Sequence, residues 1–245
     1  MDSSESPRFG DVAHVGHVEL LTPKPDESLA FFTSVVGLHE TSRAGDSVYL
    51  RAWGDYERHT LKLTAHRTSG LGHVGLRVRD DAALHRLVAG LEANGSRGGW
   101  IDDPAHGRAY RCQTPDGHAV ELYWETQRFV ATPDVSTAFK NLPQRYVPRG
   151  IAPRRLDHLN ILARDVASTR RFFNERLGLR LTEQIIFDDG TEMGAWLSAT
   201  NKSYDLAITK DRSGASGRLH HFTYAMEPRG RAARGRHPAR LRRDD

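Results

Sequence analysis

The stretch Arg155-Leu-Asp-His-Leu-Asn-Ile-Leu162 alternates in hydropathy as a half-buried β-strand does, and it carries one histidine, His158. Three other stretches resemble it, each with a histidine directly before an apolar residue: Val15-Gly-His-Val-Glu-Leu20, Leu71-Gly-His-Val-Gly-Leu76 and Leu219-His-His-Phe-Thr-Tyr224. A histidine at one place in four strand-like stretches predicts a repeated module that carries, or once carried, metal ligands.

The first half of the chain reads as two copies of one module, a strand followed by a helix and further strands. The first copy has strands at 14–21, 47–53 and 59–64, with a helix that begins at Asp26 or Glu27 and stops at Gly37. The second has strands at 72–78, 108–113 and 118–124, with a helix over 80–93. These patterns predict two βαβββ units.

The second half repeats the first with a constant offset of 141 residues over its opening. The matching positions are His17 with His158, Phe31-Phe32 with Phe172-Phe173, and Gly37-Leu38 with Gly178-Leu179. Strands at 192–198 and 204–209 complete a third unit, and 219–224 opens a fourth that never finishes. We therefore expect an α+β fold of paired βαβββ modules, two complete modules in the N-terminal domain and one complete and one truncated module in the C-terminal domain.

The expected division of the chain follows from these units. Residues 1–126 form the N-terminal domain, the proline-containing segment 127–153 a linker, 154–227 an incomplete C-terminal metal-binding domain, and 228–245 an Arg-rich tail.

Composition narrows the class of protein. With 38% apolar and 27% charged residues, no apolar run near the ~20 residues of a membrane span and no signal-peptide pattern, we expect a cytoplasmic protein without membrane contact. The net charge of +4 arises in residues 228–245, which carry +5, so the rest of the chain is not basic and nucleic-acid binding is not expected. The one cysteine, Cys112, excludes an internal disulfide and is interpreted as a small buried side chain.

Two neutral imidazoles and one carboxylate on one face suit Fe(II), because they leave open positions for substrate and dioxygen. In the second half His158 and His221 would supply the imidazoles, and strand alternation favours His221 over His220. The analogous first-half residues are His17 and His73, and each of these strand histidines could instead be a core or surface residue. The closing strand there adds Glu121, which could instead be a solvent-facing strand residue. The second half has no matching glutamate.

Three further histidines, His118, His106 and His66, are interpreted as surface residues.

The sequence resembles the vicinal oxygen chelate superfamily and, within it, the two-domain extradiol dioxygenases of the catechol 2,3-dioxygenase type. The stretches that carry the resemblance are Gly16-His-Val-Glu-Leu20, Asp116-Gly-His-Ala-Val-Glu-Leu-Tyr123, Leu156-Asp-His-Leu-Asn160 and Gly217-Arg-Leu-His-His221.

The resemblance implies Fe(II)-dependent extradiol ring cleavage of a catechol by dioxygen, with His158 and His221 as metal ligands in the C-terminal domain. It also suggests a homo-oligomer. Where relatives often place a histidine near bound dioxygen, this chain offers Tyr204, which is a poorer general base at neutral pH and has a structural role as an equal alternative.

The tail departs from the family pattern after Ala225-Met226-Glu227. Under one choice of synonymous codons, reading it one base out of frame gives an amphipathic helix with a glycine near its end, where the module needs a helix. We therefore expect residues 228–245 to be out of frame, and the enzyme to be impaired by loss of its third metal ligand.

Two alternatives from other classes remain open. One is a non-catalytic protein of the same superfamily that binds a small aromatic ligand, which bound Fe(II) responding to catechol would exclude. The other is an Arg-rich nucleic-acid binder, whose affinity would depend steeply on salt and disappear without residues 228–245.

Overall fold

Two mixed β-sheets, one in each half of the chain, form the framework of the protein in a computed structural model that describes residues 6–226. The first sheet has eight strands in the order β2-β3-β4-β1-β5-β8-β7-β6. These strands are β1 (Val12–Thr22), β2 (His39–Ala44), β3 (Ser47–Arg51), β4 (Leu61–Ala65), β5 (Gly70–Val78), β6 (Gly98–Asp103), β7 (Gly107–Gln113) and β8 (Ala119–Tyr123).

The second sheet has five strands in the order β10-β11-β12-β9-β13. They are β9 (Arg155–Ala163), β10 (Arg180–Ile186), β11 (Glu192–Ser198), β12 (Leu206–Lys210) and β13 (Arg218–Ala225). Its order matches the β2-β3-β4-β1-β5 part of the first sheet. The α+β class and the paired modules are therefore confirmed.

The strand registers show the duplication at the level of single residue pairs. β1 pairs in parallel with β4, placing Val18 opposite Leu61, and β9 pairs in parallel with β12, placing Leu159 opposite Leu206. Val18 and Leu159 differ by the same 141 residues that the sequence indicates. The central parallel strand pair therefore has the same arrangement in both halves.

The helices follow from local sequence. α2 (Asp81–Ala93) begins after Asp80, whose carboxylate accepts a hydrogen bond from the Ala83 amide and so caps the helix. Its buried side chains recur at helical spacing and are Ala83, Leu84, Leu87, Val88 and Leu91.

In the other two modules a short helix, α1 (Pro25–Ala30) or α3 (Val166–Arg171), continues as a π-helical turn over 31–36 or 172–176. The matched Phe-Phe pairs open these two turns. The first helix begins at Pro25, one residue before the predicted start, because proline is tolerated in a first helical turn.

The main apolar core runs through both halves. It includes Val18 and Leu87 from the first half and Leu159, Ile161 and Phe173 from the second, each at most 1% exposed. Burial at this level ties the two sheets together by the hydrophobic effect.

Three strands were missed by the sequence analysis, and all three lie at sheet edges: β2, β6 and β10. Their sequences, HETSRA, GGWIDD and RLTEQII, are largely polar and exposed, so no clear apolar alternation marks them. Tyr204, predicted within a strand, lies before β12.

Residues 127–153, predicted as a linker, contain no helix or strand and are all described. The predicted out-of-frame segment 228–245 lies outside the described residues, and the domain boundaries stay predictions. Over 6–226, every helix is too short or too polar to cross a membrane.

Candidate metal and substrate site

His158 on β9 and His221 on β13 lie side by side because these two strands pair antiparallel. The register places His221 opposite Asn160 and Thr223 opposite His158. The two imidazole rings are 5.8 Å apart between centroids at an interplanar angle of 80°. The structure therefore brings together the two histidines that the sequence analysis selected.

A carboxylate fixes the tautomer of His158. Its Nδ1 is 2.8 Å from Oδ2 of Asp157, and an ionised carboxylate can only accept, so Nδ1 donates and Nε2 keeps its lone pair. Burial alone would raise the pKa of Asp157, but hydrogen bonds from His158 and Lys202 hold it below its usual value. An imidazole held in this way is suited to bind a metal through Nε2.

His221 is half-buried, while its neighbour His220 is exposed. The two Nδ1 atoms are 2.7 Å apart, so one donates to the other and Nε2 of His221 takes no part in that bond. Burial lowers the pKa of His221, and the nearby imidazoles of His220 and His158 lower it further. The neutral form, which binds metals, is thereby favoured.

Tyr204 completes the local group. Its ring centroid lies 4.8 Å from that of His158, and its hydroxyl is 3.4 Å from Nε2. The phenol is therefore close enough to hydrogen-bond to a small ligand held at His158. It is half-buried and lies between β11 and β12.

The donor set of this site is incomplete within residues 6–226. His158 and His221 fit a divalent ion as two neutral imidazoles, but the nearby Asp157 is already hydrogen-bonded to His158. In the described part of the chain, three or more histidine, cysteine or carboxylate donors gather within 4.8 Å only in the N-terminal half.

That N-terminal group contains two of the residues predicted as analogues, His17 and Glu121, and the third, His73, lies next to it. His17 and His73 have their Nε2 atoms 2.6 Å apart, and Glu121 lies 3.8 Å from His17 and 3.6 Å from His73. All three are fully buried. The alternative that Glu121 faces solvent is therefore wrong.

Sequence reasoning missed two histidines and an aspartate in this group: His59, Asp103 and His106. A signal did exist for His59, which stands two residues before Leu61 just as Tyr204 stands two before Leu206. For His106, on the turn between β6 and β7, no sequence pattern pointed to the cluster.

The interpretation of His106 and His118 as surface residues is wrong, since they are 0% and 1% exposed. His106 packs in the N-terminal cluster, and His118 places Nε2 3.0 Å from the Leu162 carbonyl of the other half. His66 is exposed as predicted, and Cys112 is buried.

The histidines of the N-terminal cluster differ in the direction of their pKa shifts. Burial, together with the charges of neighbouring histidines, lowers the pKa of His17 well below its usual value and that of His59 to about 3. Burial would also lower the pKa of His106, but the hydrogen bond to Asp103 and the nearby carboxylate of Glu57 raise it instead.

Comparison with known proteins gives one family for the chain. Residues 14–122 match the Glyoxalase/Bleomycin resistance protein/Dioxygenase superfamily. A metapyrocatechase of Geobacillus stearothermophilus is 43% identical over 215 residues, which cover 87% of this chain and 65% of that protein. A manganese-dependent 2,3-dihydroxybiphenyl 1,2-dioxygenase of Geobacillus genomosp. 3 is 33% identical over 89% of this chain and 70% of its own length.

Solved structures agree with this. The 2,3-dioxygenase LapB of Pseudomonas sp. KL28 superposes with a TM-score of 0.81 at 28% identity, over 92% of this chain and 79% of that one. An extradiol ring-cleaving dioxygenase of B. fuscum gives 0.77 at 27% identity, over 93% and 61%. By length, this chain spans about two thirds of the Geobacillus stearothermophilus metapyrocatechase.

Proposed function

The chain belongs to the glyoxalase/bleomycin resistance protein/dioxygenase superfamily, known also as the vicinal oxygen chelate superfamily, and on that premise we propose that it is an extradiol dioxygenase. Its substrates are catechol or a substituted catechol and dioxygen. The observation that carries the proposal is the pair His158 and His221, held on adjacent strands beside the Tyr204 hydroxyl. The names of the relatives support the same chemistry.

The proposed metal is Fe(II), with Mn(II) as the competitor because one relative is named manganese-dependent. His158 and His221 would hold the ion through Nε2. When bound, it would supply the attachment point for both diol oxygens and the redox chemistry of dioxygen.

The roles of the protein groups follow from their hydrogen bonds. Asp157 keeps the His158 ring in one tautomer, so the nitrogen facing the site carries a lone pair. Tyr204 would donate its hydroxyl proton in a hydrogen bond to a substrate or dioxygen oxygen near His158, in the position where it now lies 3.4 Å from Nε2. We keep a cytoplasmic location and assembly into a homo-oligomer as predictions.

The activity is tested by oxygen uptake with catechol after anaerobic loading with Fe(II) or Mn(II). We expect uptake above a metal-only blank, at least about tenfold lower in His221→Ala, because the imidazole that fixes the ion is gone. The matched control is His66→Ala, at an exposed histidine whose ring bonds to Thr68 within its own turn, and it should retain activity. Absence of uptake with either metal contradicts the proposal.

We further propose that turnover is impaired, because the described residues provide two imidazoles and no free carboxylate at this site. Compared under the same conditions, the Geobacillus stearothermophilus metapyrocatechase should be roughly 10–100-fold more active, which is the range expected when metal ligation is weakened. Equal rates would refute the impairment.

The incomplete donor set also favours a second candidate, a non-catalytic protein that binds a small aromatic ligand. Such a protein would bind catechol equally well with and without Fe(II). Catechol affinity that requires the metal would exclude this candidate.

A further inference from the structure

We propose that the N-terminal half binds a divalent metal ion of its own, with His17, His106 and Glu121 as ligands and His59 and Asp103 as the adjacent donors. This site is separate from the proposed catechol site and goes beyond the proposed function. The ion stabilises the first sheet and takes no part in ring cleavage.

The geometry brings the donors to one point. One ligand atom each from His17, Asp103, His106 and Glu121 lies within 4.8 Å of the others, and the same holds for His17, His59 and His106. The His17 and His106 rings are stacked with centroids 4.5 Å apart. An ion at bonding distance of about 2.0–2.2 Å from nitrogen and oxygen donors needs only small side-chain shifts to be enclosed.

Several polar atoms of this cluster are buried without a hydrogen-bond partner, which points to a ligand independently of the donor distances. Both nitrogens of His59, Nδ1 of His17, Nε2 of His106 and Oε1 of Glu121 are buried and have no hydrogen-bond partner. All four residues are fully inaccessible to solvent. Leaving a buried polar atom unpaired is costly, so several in one place call for a ligand that satisfies them together.

Charge at the cluster favours a cation. Four buried carboxylates surround the histidines: Glu19, Glu57, Asp103 and Glu121. Their partners of permanent positive charge, among the described residues, are Lys62, which pairs with Glu19 and Asp103, and Arg111, which pairs with Glu121. A divalent cation would offset the remaining two negative charges in a region of low dielectric constant.

The surrounding groups orient the ligands as metal sites commonly do. Glu19 accepts from Nδ1 of His73 at 2.7 Å, and His73 meets Nε2 of His17 at 2.6 Å. Asp103 lies 3.0 Å from Nδ1 of His106 and fixes that ring. The His17 ring also lies so close to Gly75 that a Cβ there would stand 2.1 Å from it.

The donors identify the class of ion and its role. Imidazole with carboxylate suits Zn²⁺, Mn²⁺, Fe²⁺ and Co²⁺, and the lack of thiolate disfavours Cu⁺. The ligands come from β1, the β6–β7 turn and β8, so an ion would cross-link both modules of the first sheet. Because the three proposed ligands are 0% exposed, a catechol has no access to the ion.

The test removes the other candidate site first. In the full chain carrying His158→Ala and His221→Ala, we expect one equivalent of Zn²⁺ or Mn²⁺, added as the chloride, to remain after desalting and to raise Tm. Adding Glu121→Gln, which keeps size and hydrogen bonding to Arg111, should weaken binding at least about tenfold and abolish the Tm rise. His106→Gln should do the same, and His66→Gln, at an exposed histidine, should not.

Two results would overturn the proposal: no ion retained by the His158→Ala/His221→Ala protein, or retention unchanged by both Glu121→Gln and His106→Gln in folded protein. Circular dichroism establishes folding, and Glu121→Gln keeps the test valid if His106→Gln does not fold. Failure of oxygen uptake with catechol would overturn the proposed function and leave this outcome unaffected.

Discussion

At the scale of single residues, burial sets the chemistry of Cys112 on β7. The side chain is 2% exposed, and burial raises the pKa of its thiol to about 12. Because the thiolate is the reactive form, native protein should not react with a thiol reagent at pH 8, and one equivalent should react after denaturation. Rapid labelling of the native protein would contradict the burial.

His39, the first residue of β2, makes the folding stability depend on pH. Burial, together with the nearby charges of Arg149 and Arg51, lowers the pKa of His39 from 6.5 to about 4. The folded form therefore holds the proton less tightly than the unfolded form, so stability from this group is present above pH 6.5 and lost as pH falls toward 4.

The variant His39→Gln cannot titrate at this position. Its deficit in unfolding free energy relative to wild type, from urea denaturation, should shrink between pH 7 and pH 4.5. His66→Gln serves as the exposed control. A deficit that stays constant over this range would refute the assignment.

The sequence indicated which histidines lie side by side on the repeated strands, but not which histidines the turns bring into a cluster. His158 and His221 could be placed together because strand alternation and the duplicated register limit where their side chains can lie, and their role as metal ligands stays a prediction. His59 and His106 were missed because only the closed fold brings those turns over His17. The identity of a metal site depends on such long-range contacts.

At the scale of elements, the turn that ends the first helix joins it to segment 127–153. Gly37 has φ +88°, and a Cβ there would stand 1.9 Å from the Arg149 carbonyl oxygen. Gly190 has φ +81° with nothing within 4 Å. Both substitutions to alanine strain the backbone, but only Gly37→Ala also forces two chain segments apart.

We expect Gly37→Ala to cost about 1–3 kcal/mol more in unfolding free energy than Gly190→Ala, measured by urea denaturation. Equal costs would mean that segment 127–153 does not pack at this turn.

Strands at the centres of the two described sheets were predictable, whereas three of the four edge strands were not. β1, β5 and β9 lie inside their sheets and are partly buried. Their apolar residues are frequent enough for the sequence to show them as strands. The edge strands β2, β6 and β10 are specified by pairing with a neighbour, which a local pattern does not contain.

At the scale of the whole molecule, duplication has left two histidine clusters with different surroundings. The C-terminal pair is partly exposed and has a hydroxyl beside it, as a substrate site requires. The N-terminal cluster is sealed and rich in carboxylates, as a structural ion site requires. We therefore propose that the C-terminal half carries out the chemistry and that the ion site of the N-terminal half stabilises the fold.

The most direct test of that division is an anaerobic absorption titration of Fe(II)-loaded protein with 4-nitrocatechol. The visible spectrum of this compound shifts when the diol is deprotonated on binding a metal ion. We predict the shift in wild type and in Glu121→Gln, and its loss in His158→Ala/His221→Ala. A shift that survives in His158→Ala/His221→Ala and disappears in Glu121→Gln would contradict the account and place the catechol site in the N-terminal half.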